Sequence, residues 1–223
     1  MGPADKQSFR FDEINQAPEG AGIYAWYYRI EVSDKDIALC ISSVESAQVT
    51  KRAEIVRDFL ERRIFRYFKE SPYTVQLSGQ LKPKFSGQVA NDTMVSSSLV
   101  SRLAEDPRRL EGIKQALLAS IPLFSSPIYI GIAESLCSRL RQHKKLIEAF
   151  RQAEAISLPY FEEDNKSQEA YRDHCFAKEV TSLRQFNVSD LQVFVLPLSI
   201  DPKIRIDVEN ILNRIYFPLC GRN

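Results

Sequence analysis

The chain has 223 residues, is 44% hydrophobic and 26% charged, and carries a formal net charge of +1. This is globular composition with enough apolar residues for a sizeable core, and no apolar run reaches the ~18 residues of a membrane span. The near-neutral charge stands against a uniformly basic nucleic-acid-binding domain. Cys40, Cys137, Cys175 and Cys220 lie far apart without a C-x-x-C pair, which argues against a disulfide framework or structural zinc. The N-terminal stretch MGPADKQSFRFDE has no apolar core like that of a secretory signal, so a cytoplasmic, reduced protein with no membrane attachment is expected.

In chain order, residues 22–32 are rich in Ile, Tyr and Trp and predict a strand. Residues 37–41 suggest a second strand. From 49 to 69, Val56, Phe59, Leu60, Ile64 and Phe68 recur at helical spacing, and Ser71-Pro72 ends the helix. Tyr73, Val75 and Leu77 alternate as a short strand. Residues 82–98 are polar, carry Pro83, Gly87 and Asn91-Asp92, and predict a loop. A helix is expected over 107–120, opened by Pro107 and followed by a turn bracketed by Pro122 and Pro127. IYIGI (128–132) predicts a strand. A helix over 135–153 follows, with Leu136, Leu140, Ile147 and Phe150 on its apolar face. Residues 157–168 predict a loop, 169–184 a helix, 191–196 a strand and 204–216 a last helix stopped by Pro218. The order of elements implies a mixed α/β fold with a small sheet.

Two stretches are locally basic: KRAEIVRDFLERRIFRYFK (51–69) and RLRQHKK (139–145). Charge pattern alone makes them solvated helix faces; Arg62, Arg63, Arg66, Arg141, Lys144 and Lys145 are the candidates for DNA contact within them. His174 beside Cys175 does not make a nucleophile pair by spacing, because adjacent helical residues do not face each other.

Four of the five residues from Tyr24 to Tyr28 are aromatic, dense for an ordinary half-buried strand. Gly22-Ile23-Tyr24 is matched about a hundred residues later by Tyr129-Ile130-Gly131, and the second tripeptide continues as YIGIAESLCSRLRQH. Arg139 and His143 in that continuation share one helix face. A strand, LQVFVLPL, and the segment DVENILNRIYFPLCGRN come later. Together these stretches, about a quarter of the chain, resemble the signature of the GIY-YIG nuclease superfamily. The family's short connection between the tripeptides is here a long insert.

The resemblance implies a small mixed or antiparallel three-stranded sheet flanked by helices, formed by residues 1–32 and 127–223, with a mostly helical insert over 33–126. It implies a metal-dependent DNA endonuclease, of restriction or anti-phage defence type. Glu209 would ligate Mg²⁺ or Mn²⁺, and a hard cation of this kind keeps several waters and needs few protein oxygens. Arg139 would hold the scissile phosphate, its planar fork matching phosphate oxygens. Tyr24 and Tyr129 would place hydroxyls near the phosphate, with Tyr24 as general base or water positioner. His143 would relay a proton or add a phosphate contact. Asn223 matches a further family position. Double-stranded DNA is the implied partner, and a homodimer or homotetramer the implied assembly, since one site serves one strand. The insert could grip DNA, cap the core or form a subunit contact. A structure-selective repair or recombination nuclease, and an inactive DNA-binding or regulatory protein of the same fold, are the alternatives.

Overall fold

The computed structural model describes residues 7–29, 32–68, 73–77, 85–89, 95–154 and 176–220. Asn223, His174, Cys175, Ser71-Pro72 and the loop expected over 157–168 lie outside them. The chain divides into two compact units, Met1–Glu31 with Leu118–Asn223, and Val32–Leu117. Among the described residues no helix is long and apolar enough to cross a membrane. Cys40, Cys137 and Cys220 are buried free thiols.

The first unit is built on an antiparallel sheet of four strands: β1 (Gln7–Arg10), β2 (Gly22–Tyr28), β5 (Tyr129–Ala133) and β6 (Leu191–Pro197). Their order is β1-β6-β2-β5. The α/β class is as expected, but the sheet has one strand more than the three anticipated. The extra strand, β1, is short and largely exposed at the edge, so it lacks the apolar alternation that marks a half-buried strand.

β2 is paired along its length with β6 and over five residues with β5, so it is covered on both edges. Register sets Tyr24 opposite Gly131 and Val195, and Trp26 opposite Tyr129 and Val193. Because side chains alternate across a strand, Tyr24, Trp26 and Tyr28 share one face and Tyr27 takes the other. Tyr24, Trp26 and Tyr28 are buried. Tyr27 meets Phe194 edge-on at 5.2 Å, and burial together with neighbouring Tyr216 raises its pKa.

Helix α5 (Leu136–Glu154) packs on β2 and β5. Leu136, Leu140, His143, Ile147 and Phe150 are buried at spacings of three and four, a single stripe of the helix. His143 therefore holds a core position between apolar turns. The segment beginning at Phe176 is helical and widens into a π turn over Glu179–Leu183 that packs on α5. The last helix, here α6 (Pro202–Tyr216), starts at Asp201, whose side chain accepts from the Lys203 backbone N–H at 2.7 Å. Pro202 occupies the first turn, where its missing N–H is not needed. α6 packs on β5 and β2.

In the second unit, residues 37–41 are not a strand. They lie inside helix α1 (Asp34–Ser46). Ser33 caps it by accepting from the Asp36 N–H at 3.0 Å, Asp34 and Asp36 stand in the positive first turn, and Ile37, Cys40, Ile41 and Val44 form its buried stripe. α2 (Val49–Phe59) is as expected and runs into a π turn, Leu60–Ile64, and a short 3₁₀ turn, Arg66–Phe68. The expected loop over 82–98 instead contains β4 (Phe85–Val89), which pairs with β3 (Tyr73–Leu77) as an antiparallel hairpin, and the start of α3 (Ser97–Glu105). α4 (Arg109–Phe124) continues through Pro122, where a turn was expected.

Candidate active site

Tyr24 is the centre of the site. Its hydroxyl lies 2.7 Å from Nε2 of His143, and Nε–H of Arg139 donates to it at 3.4 Å. The Tyr129 ring stacks beside the Tyr24 ring at 6.2 Å between centroids. Residues 24, 129, 139 and 143 come from three elements, and β-pairing plus one helix face brings them together. Arg139 and His143 are one turn apart on α5; Tyr24 and Tyr129 are neighbours across β2 and β5.

Two glycines make the arrangement possible. A Cβ at Gly131 would stand 2.5 Å from the Tyr24 hydroxyl oxygen, 2.7 Å from its Cζ and 3.1 Å from Tyr129 Cε1. The Tyr24 ring thus crosses the β5 backbone where only hydrogen fits. A Cβ at Gly22 would collide with the Leu196 carbonyl oxygen and stand 2.9 Å from Leu136 Cδ1. Both are cases of close approach rather than unusual backbone conformation.

His143 is completely buried. Tyr24, Tyr129, Trp26 and Phe176 surround its ring, the last edge-on at 5.1 Å. Desolvation, followed by the charge of Arg139, pushes its pKa down to about 3. The imidazole is neutral at physiological pH, which corrects the expectation of a group titrating near neutrality. Burial likewise removes the role of direct phosphate contact. The Tyr24 hydroxyl and Nε2 share a hydrogen bond whose donor depends on the imidazole tautomer, and Arg139 donates to the same oxygen.

Arg139 is half-buried and reaches further toward solvent than the Tyr24 side chain, which is 1% exposed. The order from surface to interior is therefore Arg139, Tyr24, His143. Glu209 is half-buried on α6. Among the described residues no three His, Cys, Asp or Glu side chains gather as a metal cluster. A single carboxylate such as Glu209 still fits an ion that retains most of its water.

The basic candidates are dispersed among local partners. Arg62 pairs with Asp58 at 2.6 Å and Arg63 with Asp36 at 3.0 Å, while Arg66 lies over the Tyr67 ring at 5.5 Å. Arg141 donates to the side-chain and backbone oxygens of Asn15, each at 3.3 Å. Lys144 sits 5.4 Å from the Phe11 ring centroid, and Lys145 is exposed.

Three contributors went unrecognised in the sequence. Phe176 and Trp26 wall in His143. Arg205 is buried on α6, donates to the Ile200 carbonyl at 2.7 Å and pairs with Glu134 just after β5, tying the helix that bears Glu209 to the sheet. The signal for His143 was present as its place in the α5 stripe; for Phe176 and Arg205 only tertiary structure supplies it. Compared with known proteins, the chain matches no family model, no curated protein and no solved structure.

Proposed function

We propose that the chain is a metal-dependent DNA endonuclease that hydrolyses phosphodiester bonds, of restriction or anti-phage type, as its resemblance to the GIY-YIG superfamily implies. The observation that carries this reading is the convergence of Tyr24, Arg139 and His143 on one hydroxyl, with Tyr129 stacked against it. In this reading Arg139 is the group that meets the phosphate and stabilises charge on its non-bridging oxygens. Tyr24 holds the guanidinium from behind, and His143 holds Tyr24. The pair orients Arg139 rather than exchanging protons with solvent. Glu209 would hold Mg²⁺ or Mn²⁺, which when bound supplies further positive charge to the phosphate oxygens.

A second reading has its own observation. With Tyr24 and His143 both buried, the hydroxyl also suits a structural pin in a protein that binds DNA without cutting it. Incubating supercoiled plasmid and phage DNA with the protein and Mg²⁺ or Mn²⁺ separates the two. Discrete fragments support the endonuclease of restriction type. Nonspecific nicking favours a repair nuclease. A salt-dependent mobility shift with intact DNA in either metal favours the binding protein.

A further inference from the structure

α6 carries an apolar stripe that the described residues leave exposed. Ile204, Val208, Ile211 and Ile215 are spaced four, three and four residues apart, the spacing of a two-helix seam. Ile204, Ile211 and Ile215 are each more than half exposed, and Val208 is half-buried at the edge toward the sheet. Isolated exposed isoleucines are ordinary; three on one line of one helix are not.

We infer that this stripe is a self-association surface that pairs α6 antiparallel with α6 of a second copy. Charge selects both the occupant and the direction. Asp207 and Arg214 are exposed, lie one heptad apart on the same flank of the stripe, and make no ion pair among the described residues. Reversing a second helix on the first sets Ile204 against the second copy's Ile215, and Val208 against the second copy's Ile211. The same rotation brings Asp207 within about 3 Å along the axis of the second copy's Arg214, and by symmetry the reverse pair forms too. In a parallel pair the residues flanking Asp207 and Arg214 offer no opposite charge. The helix is short, at 15 residues, so the contact belongs to the weak, concentration-dependent class.

The test is independent of any enzymatic activity. Sedimentation of the whole chain across the micromolar range is expected to show a monomer–dimer equilibrium. Ile211→Glu with Ile215→Glu should be monomeric with an unchanged circular dichroism spectrum, since both side chains are exposed. Asp207→Arg alone and Arg214→Asp alone should each weaken dimerisation by about tenfold or more, and the double reversal should restore it to within about threefold of the parent. A parent chain that stays monomeric up to about 100 µM overturns the inference, which requires association in the micromolar range. So does a dimer that survives the isoleucine substitutions. Single reversals without effect, or a double reversal that fails to recover, overturn the antiparallel pairing.

Discussion

The Tyr24 hydroxyl is held 2.7 Å from Nε2 of a fully buried, neutral His143. A hydroxyl this deeply enclosed is fixed in position, and what it fixes is the Arg139 guanidinium that donates to it. Tyr24→Phe keeps the ring and removes the link. Nε2 of His143 then loses its hydroxyl partner in a dry site, at a cost of ~1–3 kcal/mol in stability. Urea denaturation checks this figure, and the far-ultraviolet circular dichroism should stay that of the parent.

Gly131→Ala should be worse than its size suggests. The added methyl would stand 2.5 Å from the Tyr24 oxygen and 2.7 Å from Cζ, so the ring or β5 must move. Overpacking of this kind destabilises by ~1–3 kcal/mol. Gly112, inside α4, is the control, because a Cβ there meets nothing within 4 Å. Gly112→Ala should stabilise by up to ~1 kcal/mol through helix propensity. Thermal melts of the two variants should therefore shift in opposite directions.

The buried imidazole also predicts a pH dependence. His143 has a folded pKa of about 3, below the ~6.5 of an unfolded histidine. Between these values the unfolded chain binds the extra proton and the folded chain does not. Its contribution is thus complete above about pH 6.5 and is lost as pH falls toward 3, on the order of a few kcal/mol. Unfolding free energy measured from pH 7 to pH 4 should fall, and His143→Gln should flatten that slope while lowering stability at pH 7.

The Arg205–Glu134 pair should show an asymmetry. Glu134 is mostly exposed, whereas Arg205 is 3% exposed. Glu134→Ala leaves the buried guanidinium with the neutral Ile200 carbonyl and should cost ~1–3 kcal/mol. Adding Arg205→Met to it removes the stranded charge and should recover part of that loss. A double-mutant cycle in denaturant reads both.

Much of this architecture was legible in the chain. β2 was marked by its Ile, Tyr and Trp content, β5 and β6 by short continuous apolar runs, and the helices α2, α5 and α6 by apolar residues at helical spacing. Residues 37–41 misled because five residues of mixed apolar character satisfy either period; Ser33 with Asp34 and Asp36 was the helix-start signal that settles it. β1 carries no alternating apolar face and is largely exposed at the sheet edge, so its pairing partner defines it. In β4, Phe85, Gly87 and Val89 do alternate, but Gly87 with nearby Pro83 and Asn91-Asp92 is also a loop signal, and pairing with β3 decides it. At the site, Tyr24, Tyr129, Arg139 and His143 were visible as a pattern. Their depth was not, because it depends on Phe176 arriving from a distant segment to pack with Trp26 of β2, and on Gly131 lying directly across from Tyr24.

The most direct test of the account is the rate of plasmid cleavage in Mg²⁺ by the parent chain, Arg139→Ala and Tyr24→Phe, compared at equal folded fraction. The parent chain should cleave the plasmid. Arg139→Ala should lose about 10² to 10³ in rate, as for other donors to transition-state charge. Tyr24→Phe should lose up to about 10², through misplacement of the guanidinium. A parent chain that cuts at the same rate as folded Arg139→Ala would contradict it, since the Tyr24–His143 pair would then be holding a residue that takes no part in the reaction.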